Sequence, residues 1–302
     1  MKRSTGGGSA KDKARPPRQK EARLLARASP RRHRKAPNDE SPAPRKTFER
    51  ASTIAGSRPG NTALYGFQAV REALRQKRRK ILGMYATQAV AHRLEAEIAE
   101  AQLVPEIVTP EQLSRRLGAG TVHQGVLIEV APAPPIGLSD IPSHSGIVVV
   151  LDQITDPHNV GAIARAAAAF AADAIIMTER HAPEMSAATA KAACGGLEHI
   201  AIVRVVNLAR ALGELGDFGY QRLGFDSEAP LALAEVPAQR PMALVFGAEG
   251  KGLRRLSREK CDFLVRLDLP GPIKSLNVSN ACAVALALLH AQPPHGPCGV
   301  SG

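Results

Sequence analysis

Tryptophan is absent from the 302 residues, and only 7 Phe and 3 Tyr are present. A base-stacking sheet of the kind that grips single-stranded RNA needs several exposed aromatic rings, so this composition argues against one. Four cysteines occur (Cys194, Cys261, Cys282 and Cys298), with no CxxC pair among them. That excludes a zinc ribbon and a disulfide scaffold, and it suits a reducing compartment. No apolar run approaches the 18 residues of a membrane span, and no apolar stretch of signal-peptide type follows Met1. A soluble cytoplasmic protein, without membrane or metal, is the expectation.

Charge, by contrast, is plentiful and unevenly placed. Residues 1–60 carry 6 Lys and 11 Arg against 5 acidic residues, which accounts for the whole net charge of +12. Residues 61–302 balance 23 basic against 23 acidic side chains. The first sixty residues also hold seven prolines and almost no apolar periodicity. Such a segment cannot recover the entropy of ordering and is expected to be a disordered basic tail. A basic arm beside a neutral body points to a polyanionic partner, most simply nucleic acid. A solubilising tail and a transit peptide are the competing readings, the second weakened by the Gly and Pro interruptions.

A small α/β module is expected over residues 61–131. Leu64–Leu74 has helical spacing and is followed by the cluster Arg75, Lys77, Arg78, Arg79 and Lys80. A helix near Val90–Glu100 and a strand near Val104–Val108 come next. Thr109 and Pro110 then read as cap and first residue of a helix, and Gly125–Val130 reads as a strand. The proline-rich run Ala131–Pro135 opens a linker, taken as 132–144. Residues 145–292 alternate strand and helix. Strands are expected at Ile147–Leu151, Ala174–Met177, Ile200–Val206, Tyr220–Phe225, Ala243–Phe246 and Phe263–Leu267. Helices are expected at Asn159–Ala171, Ala187–Ala193, Leu208–Leu215 and Val278–His290, with a tail over 293–302. This pattern predicts a parallel sheet covered on both faces, with ligands beyond the carboxyl ends of its strands.

Three motifs lie at those strand ends. Asp156-Pro157-His158-Asn159-Val160-Gly161-Ala162-Ile163-Ala164-Arg165 leads from a strand into a helix. Asn159 suits its N-cap, and Arg165 falls nearly opposite the face formed by Ile163, Ala166, Ala167 and Phe170. Gly247-Ala248-Glu249-Gly250-Lys251-Gly252 leaves another strand. It fits neither a Walker A loop nor the dinucleotide glycine fingerprint. Ser275-Leu276-Asn277-Val278-Ser279 enters a last helix that is apolar almost all round. Ser275 or Asn277 would cap that helix, which must bury itself against the sheet and a second subunit. Taken singly, Arg165 reads as a solvated arginine and the glycine loop as a turn.

Together, in this order, the motifs closely resemble those of the SpoU (TrmH) family of RNA ribose 2′-O-methyltransferases. Leu64-Tyr65-Gly66 through Val70 and His123-Gln124-Gly125-Val126 resemble that family's N-terminal RNA-binding module. Of its branches, the chain looks most like the one that modifies a guanosine of 23S ribosomal RNA. The resemblance implies a SPOUT-type α/β fold with a C-terminal trefoil knot, preceded by the small RNA-binding domain. It also implies S-adenosylmethionine as methyl donor and a homodimer built through the knotted domain, with RNA as substrate. By motif position, Gly247, Leu267 and Leu276 would bind the cofactor, and Arg165, Asn159, Glu249, Ser275 and Asn277 would carry catalysis. One departure is Leu267-Asp268-Leu269, where the family often has Ile-Pro-Met. In this reading Arg165 acts by charge, because a guanidinium is a poor base. A transfer-RNA methyltransferase, a non-catalytic ribosome-assembly factor and an unrelated nucleotide-binding α/β enzyme are the alternatives.

Overall fold

A computed structural model of the protein describes residues 61–291, apart from 119, 142–145, 181, 184 and 238. The basic tail 1–60, the end of the 132–144 linker and the tail 293–302 lie outside the described residues. All described residues belong to one compact unit.

The first module is a four-stranded sheet in the order β1-β4-β2-β3. It comprises β1 (Thr62–Tyr65), α1 (Phe67–Gln76), β2 (Ile81–Ala86), α2 (Gln88–Arg93), α3 (Glu95–Glu100), β3 (Glu106–Ile107), α4 (Pro110–Leu117) and β4 (Val126–Val130). The Leu64–Leu74 segment is therefore not one helix. Gly66, at φ 92°, breaks it, with Leu64 and Tyr65 in β1 and α1 starting at Phe67. The Val90–Glu100 helix is likewise two, because the chain leaves helical geometry at the fully buried Leu94. The expected strand at Val104–Val108 shrinks to two residues, and β2 went unread altogether. Thr109 caps α4 as expected, its hydroxyl accepting from Gln112 N–H while the Gln112 side chain accepts from Thr109 N–H.

The second module is a seven-stranded, all-parallel sheet in the order β7-β6-β5-β10-β8-β11-β9. In chain order it comprises β5 (Ile147–Asp152), α5 (Pro157–Ala169), β6 (Ala174–Thr178), α6 (Ala187–Ala193), β7 (Ala201–Val205), α7 (Leu208–Asp217), β8 (Gln221–Phe225), β9 (Leu231–Ala232), β10 (Met242–Gly247), α8 (Arg255–Glu259), β11 (Phe263–Arg266) and α9 (Val278–Ala291). The short edge strand β9 and the one-turn α8 were not anticipated. The central strand β5 is buried along its whole length and alternates between two cores. Ile147, Val149 and Leu151 face α5, α6 and α9, while Val148 and Val150 face α7. That two-sided burial is why these strands read as continuous apolar runs. No helix among the described residues is long and apolar enough to cross a membrane.

The modules meet at a polar seam between α1 and the turn after α6. Arg79 Nε lies 3.1 Å from Glu198 Oε1, with both side chains almost fully buried. Arg78 donates to the Ile200 carbonyl at 3.0 Å, and His199 Nε2 lies 2.8 Å from Glu72 Oε2. Burial pushes the Glu198 carboxyl above its ordinary range, against the pull of Arg79 and Arg78. Most of the basic cluster after α1 is thus committed within the chain. Arg75 pairs with Glu97 and Lys77 with Glu100, leaving Lys80 as the member without a bond of this kind among those described.

Candidate active site

The first motif starts α5, and its cap is not Asn159. Asp156 holds that place, its carboxylate accepting from His158 N–H at 2.9 Å, with Pro157 at the first helical position. A capping carboxylate and a fixed φ therefore begin the helix two residues earlier than expected. Asn159 is left in the first turn with its amide free to point outward. Along α5 the buried residues are Val160, Gly161, Ile163, Ala164 and Ala167, with Ala166 and Phe170 only half-buried.

The second motif is a closed loop at the carboxyl end of β10. Gly252 N–H donates to the Ala248 carbonyl at 2.8 Å, so the chain turns back on itself within five residues. A Cβ on Gly247 would sit 2.2 Å from the Gly252 carbonyl carbon and 2.4 Å from Leu253 N. Only glycine permits that backbone-to-backbone approach. The loop is anchored from beneath by Asp152 at the end of β5, which is fully buried. Its carboxylate accepts from Arg254 N–H at 3.0 Å and from Arg254 Nε at 2.6 Å.

The third motif starts α9, and here Asn277 rather than Ser275 is the cap. Its side-chain oxygen accepts from Ser279 N–H at 2.9 Å and from Ser279 Oγ at 2.6 Å. That leaves the Asn277 amide nitrogen as a donor. It donates to Glu249 Oε1 at 2.6 Å and to Asn159 Oδ1 at 3.1 Å, while Asn159 Nδ2 donates to the same Glu249 oxygen at 3.0 Å. One residue from each motif thus meets the other two, across 90 and 118 positions of chain. The acceptor is a carboxylate and the donors are amides, a charge-assisted arrangement that fixes three loops at one point.

Beside this triangle opens a cleft of about 170 Å³. Gly247, Glu249, Leu267, Ser275 and Leu276 all line it. So do Phe225, Asp226 and Ser227 at the end of β8, which the sequence reading did not name. The Phe225 ring stacks on Phe246 with centroids 4.4 Å apart. The general rule that ligands gather at carboxyl ends of parallel strands was available, but that β8 neighbours β10 is seen only in the structure. Their strand order was not legible. Leu267-Asp268-Leu269 brings Leu267 and Leu269 into the cleft, and Asp268 turns away to Arg266.

Arg165 stands apart from the triangle. It is exposed on the outer face of α5, as its helical position indicated. Its Nη1 lies 3.6 Å from Cys194 Sγ, in a shallow recess shared with Gln68 and Glu72 of α1. Among the described residues no group of three or more His, Cys, Asp or Glu could hold a metal ion.

Residues 146–287 match the model of the SpoU rRNA methylase family, and residues 63–136 match the RNA 2′-O ribose methyltransferase substrate-binding model. The chain belongs to the SpoU rRNA methylase family. This SpoU chain is 35% identical to the 23S rRNA (guanosine-2′-O-)-methyltransferase RlmB of Photorhabdus laumondii, over 74% of its own length and 95% of that protein. Its identity to the RlmB of Pseudomonas aeruginosa is 37%, over 74% and 93%. In three dimensions it is similar to the SpoU methyltransferase AviRb of Streptomyces viridochromogenes, solved with AdoMet. The TM-score is 0.65 at 21% identity, covering 78% of this chain and 93% of that one. An AdoMet-bound rRNA methyltransferase from Sinorhizobium meliloti gives a TM-score of 0.64 at 23% identity, over 76% and 87%. At those identities the two structures speak to the SpoU fold. The substrate-binding match begins in β1 and runs just past β4, and the methylase match runs from β5 into α9.

Proposed function

We propose that this protein transfers the methyl group of S-adenosylmethionine to a ribose 2′-hydroxyl of RNA, a guanosine of 23S rRNA. The observation that carries this reading is the meeting of Asn159, Glu249 and Asn277 beside the cleft, in a chain of the SpoU family. The cleft suits the cofactor on its own chemistry. The tight Gly247 turn presents backbone, the Phe225–Phe246 pair gives an apolar wall, and Asp226 and Ser227 offer partners for hydroxyls. Gly247, Leu267 and Leu276 would hold the cofactor largely through backbone groups, with Ser275 shaping the rim. When bound, S-adenosylmethionine supplies a methyl group already activated on a sulfonium.

The remaining task is alignment, together with release of the attacking hydroxyl's proton to solvent water. Asn159, Glu249 and Asn277 hold the three loops in one geometry. Arg165 stabilises the developing alkoxide or clamps the neighbouring phosphate. It stands on the outer face of its own helix, apart from the triangle in the same chain. We therefore take the working unit to be a homodimer in which each copy lends Arg165 to the other. Exposed Val284 and Leu288 on the outer face of α9 support such an interface. The return of segment 267–277 past the Gly247 loop supports the trefoil knot that the family resemblance implies. We assign residues 61–131 to RNA binding, 132–144 to the linker and 145–292 to methyl transfer in the cytoplasm.

The test is a map of 2′-O-methyl sites in 23S rRNA from cells lacking the protein, joined to assays of Arg165→Ala. The reading requires one guanosine to lose its methyl group, and Arg165→Ala to lose at least a hundredfold in rate while binding cofactor normally. An unchanged methylation map, or an Arg165→Ala enzyme at wild-type rate, overturns it.

A further inference from the structure

Resting on that reading, we infer that the recess between α1 and α5 seats the target nucleotide, and that Gln68 of the substrate-binding module is a nucleotide-positioning residue. The recess is built from both modules. Arg165 stands on one wall, Gln68 and Glu72 on the other, and Cys194, Gly195 and His199 close it.

The two walls are held at a fixed separation. A Cβ on Gly195 would lie 2.6 Å from Glu72 Cγ and 3.4 Å from the Gln68 carbonyl oxygen. On Gly196 it would lie 2.9 Å from both the Ala164 carbonyl oxygen and Arg165 Cα. Consecutive glycines thus let α1 and α5 press on one turn from opposite sides. His199 then ties Glu72 across the seam at 2.8 Å, one helical turn beyond Gln68. The start of α1 is pinned as well. Gln124 Oε1 accepts from Phe67 N–H at 2.9 Å, and Arg93 covers the Phe67 ring at 4.1 Å.

Two side chains in this rigid frame keep their polar groups available. Gln68 is exposed, with no side-chain hydrogen bond among those described. Among the described residues, Arg165 makes only the long contact to Cys194 Sγ. A fork of guanidinium donors facing an amide with a donor NH2 group and an acceptor oxygen matches a ribonucleotide. The guanidinium takes the phosphate or the 2′-oxygen, and the amide takes a hydroxyl or base edge. Module and methyltransferase domain then act on the same nucleotide, instead of the module serving as a remote tether.

The experiment measures steady-state methylation of in vitro transcribed, unmodified 23S rRNA by the full chain, comparing wild type with Gln68→Ala and Gln68→Glu. Gln68→Ala is expected to lower kcat/KM for RNA about tenfold, chiefly through KM, the worth of one or two hydrogen bonds. S-adenosylmethionine affinity and thermal midpoint should stay unchanged, because Gln68 is exposed. Gln68→Glu keeps the shape, removes the donors and adds a like charge to the phosphate, so it should be at least as impaired. A Gln68→Ala enzyme within twofold of wild type in KM and kcat overturns the assignment and leaves the methyltransferase reading intact. A wild-type chain that binds cofactor and methylates no RNA overturns both.

Discussion

Gly247→Ala adds one methyl group to the floor of the cleft proposed for the cofactor, and the structure says where it would go. The new carbon would stand 2.2 Å from the Gly252 carbonyl carbon and 2.4 Å from both Gly252 O and Leu253 N. All three atoms are backbone, so no rotamer change relieves the overlap. The loop must open, breaking the 2.8 Å bond from Gly252 N–H to the Ala248 carbonyl, or β10 must shift against its neighbours. Overpacking of this kind costs about 1–3 kcal/mol, and a lost hydrogen bond about 1 kcal/mol more. If half of that falls on the loop geometry, S-adenosylmethionine binding weakens by roughly five- to thirtyfold. Gly250→Ala is the internal control. Its Cβ would meet nothing within 4 Å, so only its φ of 76° opposes the change, at about 1–2 kcal/mol. Isothermal titration of the cofactor with thermal unfolding of both variants separates the two costs. Unchanged cofactor affinity in Gly247→Ala would refute the argument that close backbone approach shapes this cleft.

Asp152→Ala removes the buried carboxylate under the same loop. Because the Arg254 side chain is 44% exposed and can rehydrate, the loss should be near 2 kcal/mol, seen as a lower thermal midpoint and weaker cofactor binding. Asp262 accepts from Arg222 N–H at 2.7 Å and from two guanidinium nitrogens, and those hydrogen bonds hold its carboxyl below the ordinary aspartate range. An acid with a lowered folded pKa stabilises above its unfolded value, about 3.9, and loses that contribution as pH falls through the folded one. Wild type should therefore exceed Asp262→Asn by about 1–2 kcal/mol in urea melts at pH 7, with the gap closing below pH 4. In the proposed homodimer, Leu288→Glu should shift the protein from dimer to monomer in sedimentation velocity, and an unaltered mass would remove α9 from the interface.

Much of the second module was legible because its signals are local. Ile147–Leu151 and Ala243–Phe246 are apolar at every position, which only a strand buried on both faces requires, and Ala187–Ala193 fell as expected. The first module was less so. Leu64 and Tyr65 satisfy helical spacing and strand alternation equally, and the decision is made by Gly66 at φ 92°, bonded through Val126 to β4 sixty residues away. The cap of α5 shows the same limit on a smaller scale. Asp156 and Asn159 both suit an N-cap by type, and Pro157 at the first helical position favours Asp156. Asp152 was invisible as an anchor, since nothing in a strand-terminal aspartate says that Arg254 will fold over it.

That displaced cap has a chemical consequence. Had Asn159 closed the helix, its side-chain oxygen would be spent on a backbone N–H, as the Asn277 oxygen is on Ser279. With Asp156 in that place, Asn159 keeps both ends of its amide, donating to Glu249 and accepting from Asn277. The two asparagines therefore divide the work: one caps and donates, the other donates and accepts, and the carboxylate between them receives both N–H groups. Asparagine is the side chain that meets these demands, because aspartate at either position would set a second carboxylate against Glu249. Glutamine would lengthen one side of a triangle whose bonds are 2.6, 3.0 and 3.1 Å. The motif residues are thus constrained by one another through distances set on three separate strand ends, before any RNA or cofactor enters.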